Sequence, residues 1–137
     1  MKNLIKIILS TMLLSALSFG DEYALISNKK MKNLSKEQIK AIFLKKITFI
    51  DDTKVIPINL GTRDSLRIKF EKRILRMNFS RLKTYWTKQH YLGKRAPLSM
   101  KSQESIKAFV KKVDGAIGYI NTNKLDESVK EIYRWRD

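Results

Sequence analysis

Short runs rich in valine and isoleucine alternate along this chain with capped segments of helical period, and that alternation predicts an α/β fold. The expected architecture is a mixed sheet of about four or five strands flanked by helices. No internal repeat, low-complexity tract or proline-rich linker interrupts the pattern, and residues 21–137 have the length of one domain with a single core.

The elements follow in order. Tyr23 to Ser27 reads as a first strand running into the polar turn Asn28 to Asn33. Ser35 and Gln38 have the spacing of a capping box, with Leu34 and Ile39 placed to staple it, so a helix should run from about Lys36 to about Leu44 and bury Ile39, Ile42 and Phe43. Ile47 to Ile50 reads equally as strand or loop, Asp51-Asp52 as a turn, and Val55 to Asn59 as a buried strand. In a second helix Leu66, Phe70, Ile74 and Met77 share one side, while Arg67, Lys69, Lys72 and Arg73 fall largely on others. A third should begin at Ser80, bury Leu82, Tyr85, Trp86 and Gln89, and end before Gly93 and Pro97. A fourth, after Ser102, places Ile106, Phe109, Val110 and Val113 on one face. Gly115 to Ile120 is a glycine-punctuated buried strand, and Ser128 to Trp135 is either an edge strand or a short helix.

Residues 1–20 have the features of an export leader. Lys2 and Lys6 precede an apolar stretch from Ile7 to Phe19, and Ser18-Phe19-Gly20 offers small residues for cleavage before Asp21. The expectation is a periplasmic protein with no transmembrane segment once the leader is removed, since the apolar stretch is shorter than the roughly 20 residues that span a bilayer. The absence of cysteine excludes disulfides, thiolate metal sites and a cysteine nucleophile. Residues 21–137 carry 27 basic and 13 acidic side chains, a formal charge of +14, spread along almost every segment. Such a charge favours acidic partners without naming one.

The most informative junction lies where the β-branched strand meets Gly61-Thr62-Arg63-Asp64 and a helical segment follows. Glycine permits a tight turn, amides point out of a helix start, and Thr62 and Arg63 add a hydroxyl and a forked cation, a set that suits a small oxyanion. The bland reading beside it is that Thr62 or Asp64 merely caps the helix while Arg63 lies in solvent. Asp64 itself either stabilises the helix dipole or accepts a hydrogen bond from a protonated phosphate, which distinguishes phosphate from sulfate.

The succession of Leu34 to Ile47, Val55 to Asn59, Gly61-Thr62-Arg63-Asp64, Phe70, Tyr85-Trp86, Gly93-Lys94, Pro97 and Gly115 to Tyr119 resembles the phosphate-binding protein family of bacterial ABC importers. The resemblance covers nearly all of residues 21–137. It implies one lobe of a type 2 periplasmic-binding-protein-like fold, and a loop whose amides, hydroxyls and arginine grip phosphate at Gly61, Thr62, Arg63 and Asp64. With the neighbouring strand end and helix start, the candidate ligand-binding residues are Asn59, Gly61, Thr62, Arg63, Asp64 and Ser65. The family's trapping members have two hinged lobes, and this chain matches the second alone. Asn59-Leu60 also stands where the family's loop has glycine and serine. A homodimer, a second lobe-like partner or an ABC permease would then complete the site.

No catalytic constellation, metal site or cofactor motif is read from the sequence. His90 has no carboxylate or hydroxyl at sequence range, and Asp51-Asp52 lacks further ligands. The functional expectation is therefore an exported solute-binding-like protein for phosphate or a similar oxyanion, linked to phosphate ABC transport. Its alternative is a degenerate binding fold that serves as a periplasmic partner for envelope polyanions or another protein, with no specific small ligand. Physiological nucleic-acid binding is not expected, because the charge comes without a stacking platform or binding motif.

Overall fold

The computed structural model describes residues 21–137; the expected leader and its cleavage site lie outside the described residues. Strands β1 (Glu22–Ser27), β4 (Ile56–Leu60), β5 (Leu98–Met100), β6 (Ala116–Asn121) and β7 (Lys130–Arg136) form one five-stranded mixed sheet in the order β5-β4-β6-β1-β7. β4 runs parallel to β5 and β6, whereas β1 is antiparallel to β6 and β7. Strands β2 (Phe49–Ile50) and β3 (Thr53–Lys54) make a separate small hairpin turning at Asp51, whose φ is 51°.

Helix α1 (Lys36–Phe43) begins with the expected capping box: the Gln38 amide donates to Ser35 Oγ at 3.1 Å, and the Ser35 amide donates to Gln38 Oε1 at 2.9 Å. Ile39, Ile42 and Phe43 are buried as the period requires. Helix α2 (Ser65–Phe70) continues into a π-helical turn, Glu71–Leu75, that stops at Arg76 in the left-handed region. The extra residue per turn shifts the register, so that Ile74 and Leu75 are both buried and Met77 only partly. Helix α3 (Phe79–Tyr91) fully buries only Leu82; Tyr85, Trp86 and Gln89 are half-buried, so the expected stripe is shallower than its spacing implies. Helix α4 (Gln103–Lys112) buries Ile106 and Val110, with Phe109 and Val113 at its margin.

Alternation along β6 explains why helices cover both faces of the sheet. Tyr119 points to one side, stacking on Phe70 of α2 at 4.2 Å between ring centres, with Phe43 of α1 6.0 Å away. Gly118 points to the other, where an added Cβ would stand 2.3 Å from Ile106 Cγ2 of α4. The missing side chain is what lets α4 settle on the strand. Ser128–Trp135 resolves to edge strand β7, because β1 offers it a free antiparallel edge and Ile132 and Trp135 drop into the core. Strand β5 was not anticipated: three residues with exposed Leu98 and Ser99 carry no alternation to read.

Gly115, at φ +82°, begins the turn into β6, and a Cβ there would lie 2.0 Å from the Lys54 carbonyl oxygen. Gly61 has open space around it and no positive φ. Gly115→Ala should therefore cost at least about 2 kcal/mol in urea unfolding, and Gly61→Ala less than about 1 kcal/mol.

Candidate functional site

The junction after β4 is built by local chemistry. The Asp64 amide donates to the Gly61 carbonyl at 3.0 Å, closing a four-residue turn. Asp64 then takes the extended N-cap conformation, and its Oδ1 accepts from the Leu66 amide at 2.9 Å. The amides of Asp64 and Leu66 are thus satisfied within the chain. Those of Thr62, Arg63 and Ser65 have no acceptor among the described residues, and the exposed Arg63 guanidinium meets no carboxylate there. Asp64 thus occupies the N-cap of α2, as the bland reading has it. Gly61 is not required by a left-handed backbone; the turn is an ordinary one, open above the glycine.

Asn59 departs from its expected role. It is 6 % exposed, and its Oδ1 accepts from the Tyr119 hydroxyl at 2.9 Å. The same hydroxyl accepts from the Leu60 amide at 3.2 Å. Asn59 therefore belongs to the support beneath the turn, because a buried amide oxygen takes the nearest donor the core provides. Burial pushes the Tyr119 phenol well above its ordinary value.

Arg67 is also turned inward, against the expectation of a solvated face. Its Nη1 donates to the Leu60 carbonyl at 2.8 Å, and its Nε lies 3.4 Å from Glu71 Oε2 one helical turn on. Burial holds the Glu71 carboxyl above its usual range, with Arg67 pulling the other way. Removing either member alone would leave a buried charge uncompensated, a loss of roughly 3–5 kcal/mol for a fully buried pair and less for this partly exposed one. Leu60 is consequently held at both polar groups, its N–H by Tyr119 and its C=O by Arg67.

Beside the turn lies a groove of about 890 Å³. Thr62 and Arg63 border it, Lys72 and Arg76 add two more cations, and Ile68, Met77 and Phe79 supply apolar lining. Lys72 and Arg76 have no ion-pair partner among the described residues; both sit where the π-helical turn delivers them. Periodicity alone assigned Lys72 to the solvated side and gave no sign that the helix end would curl round a hollow.

The charge is less evenly spread than the composition implied. Between Glu71 and Glu104 there is no acidic residue, yet nine basic ones occur. This was legible in the sequence as an acid-free interval. Among those nine only Arg73 reaches a carboxylate, that of Asp137 at 3.8 Å. His90 is exposed on α3, while Asp51 pairs with Lys32 and Glu104 with Lys124, so neither carboxylate stands beside it. No group of three or more His, Asp or Glu side chains is gathered for a metal among the described residues.

A five-stranded mixed sheet with helices on both faces is one lobe of a periplasmic-binding-protein-like fold. The same lobe occurs in an ABC-type phosphate transport receptor from Vibrio cholerae, with TM-score 0.66 and 22 % identity over 83 % of this chain and 47 % of that one. It occurs in a putative phosphate ABC transporter substrate-binding protein from Clostridium perfringens, solved with bound phosphate, with TM-score 0.66 and 25 % identity over 82 % and 44 % of the two chains. PstS from Borrelia burgdorferi matches with TM-score 0.62 and 16 % identity over 80 % and 46 %. The chain thus spans less than half the length of each of these structures. No family model matches the sequence, and no curated protein does.

Because the Tyr119 phenol is raised in the folded state, the unfolded chain releases its proton first as pH climbs past 10.0. Stability supplied by this group is intact below that pH and is lost above it. Urea unfolding between pH 8 and 11 should show a decline that is shallower in Tyr119→Phe, which at neutral pH costs about 1–3 kcal/mol by stranding Asn59 Oδ1 and the Leu60 amide.

Proposed function

We propose that this chain is an exported, non-enzymatic solute-binding-like protein that recognises phosphate or a similar oxyanion at the turn Gly61 to Ser65. The observation that carries the reading is the unspent donor set: the amides of Thr62, Arg63 and Ser65 and the Arg63 guanidinium have no partner among the described residues. Lys72 and Arg76 across the adjoining groove add to the local positive field. The likeness to phosphate receptors supports the choice of ion.

The donors are few and open to water. Asp64 is committed to capping, and Asn59 to Tyr119, so neither adds a contact for the ion. One lobe supplies one wall of a site, and a homodimer, a second lobe-like partner or an ABC permease would supply the other. Alone, the chain should bind weakly and in a salt-sensitive way, since exposed charges are screened over about 10 Å at 0.1 M ionic strength.

Isothermal titration with inorganic phosphate should give heat at millimolar ligand in low salt. Each charge-assisted hydrogen bond contributes about 1.5–3 kcal/mol, so Arg63→Ala should weaken binding at least tenfold while leaving thermal stability unchanged. Absence of heat in the parent protein, or equal heat in the variant, would reject the reading.

A further inference from the structure

Of the nine basic residues in the acid-free interval from Lys72 to Gln103, five (Arg81, Lys83, Lys88, Lys94 and Arg95) lie on helix α3 and the loop after it. Leu82, buried, and Tyr85, whose hydroxyl donates to the Leu44 carbonyl at 2.6 Å, fasten one side of the helix to the body. The side away from them carries Lys83, Thr87, Lys88 and Tyr91, with half-buried Trp86 at its border. Tyr91 is 92 % exposed and Leu92, which caps the helix, 69 %. Two shallow furrows of about 640 and 520 Å³ share Lys83, Thr87 and Tyr91 as walls, and Lys94 borders the second. None of Lys83, Lys88 and Lys94 meets a carboxylate among the described residues.

We propose that this face of α3, with Lys83, Trp86, Lys88, Tyr91, Leu92 and Lys94, docks the protein onto an anionic phospholipid surface. Exposed Tyr91 and Leu92 at the end of α3, flanked by lysines and with half-buried Trp86 beside them, match the depth profile of a headgroup layer. The tyrosine and tryptophan settle at the boundary, leucine reaches the acyl region, and the lysine stems lie along the surface with their ammonium groups among the phosphates. An acidic protein partner fits the charge but not the residue type, since lysine is depleted at the centre of protein interfaces and here intersperses the apolar side chains. Among the described residues no helix is long and apolar enough to cross a membrane, so contact through α3 is peripheral. The inference is independent of the oxyanion site, whose Arg63 lies outside this face.

The test is co-flotation with phosphatidylcholine vesicles, with or without roughly one third phosphatidylglycerol, at low salt. Binding is expected to the anionic vesicles only, with a blue shift of tryptophan emission that Trp86→Phe abolishes. Changing Lys83, Lys88 and Lys94 together to Gln should lower partitioning on the order of a hundredfold, given the contribution of each surface cation. Tyr91→Ala with Leu92→Ala, which leaves the charge untouched, should lower it about tenfold. Lys111→Gln with Lys112→Gln on α4 should change it less than threefold, and Arg63→Ala should leave it intact. The proposal is overturned if the anionic vesicles do not bind, if the α4 pair lowers binding as much as the α3 lysines, or if the Tyr91 and Leu92 changes have no effect. It is equally overturned if the α3 variants lose affinity for a short DNA duplex while vesicles never bind.

Discussion

One phenol ties this lobe together. Tyr119 joins β6, β4 and α2 at once: its ring stacks on Phe70, and its hydroxyl bridges Asn59 and the Leu60 amide. Strand β4 ends there, so the place at which the chain leaves the sheet is set by a hydrogen bond reaching 59 residues along the sequence. A hydroxyl can serve both as donor to one partner and as acceptor from another, which phenylalanine cannot. The surrounding rings of Phe43, Phe70 and Trp135 exclude water and strengthen that bridge. Trp135 contributes at some cost, because its indole N–H is buried without an acceptor among the described residues.

From this anchor the turn inherits its position. Arg67 reaches back from α2 to the Leu60 carbonyl and leans on Glu71, which ties the strand end to the helix start. Asp64 uses its Oδ1 to cap the helix. What remains unspent is a short set of amides and one guanidinium above a rigid base.

Charge is sorted across the molecule. Acidic side chains pair with lysines and arginines near β1, β7 and α4, as in Glu22 with Arg134 and Arg136, and Glu104 with Lys124. The interval containing the π-helical turn and α3 has no acid of its own and receives one from Asp137 alone. The interval keeps a positive surplus, because most of its basic side chains have no carboxylate partner among the described residues, although Glu71 also lines the groove. The groove at the π-helical turn and the face of α3 both draw on that surplus.

Much of this was legible beforehand. The α1 capping box, the β4 strand, the helix stops and the layered α/β arrangement depend on near neighbours in sequence, where capping geometry and period act directly. Long-range pairing was not: β5 and β7 became strands because β4 and β1 offered them edges, and Tyr119 and Arg67 acquired their roles from partners in other elements. Thr62, Arg63 and Ser65 are exposed with free donors among the described residues, whereas Asn59 went into the core and Asp64 into the cap. The sequence by itself determined which segments could be helix or strand and how much charge they carried. Only the tertiary structure decided which polar groups were left without partners, since satisfying a buried donor or acceptor depends on what folding brings within about 3 Å of it.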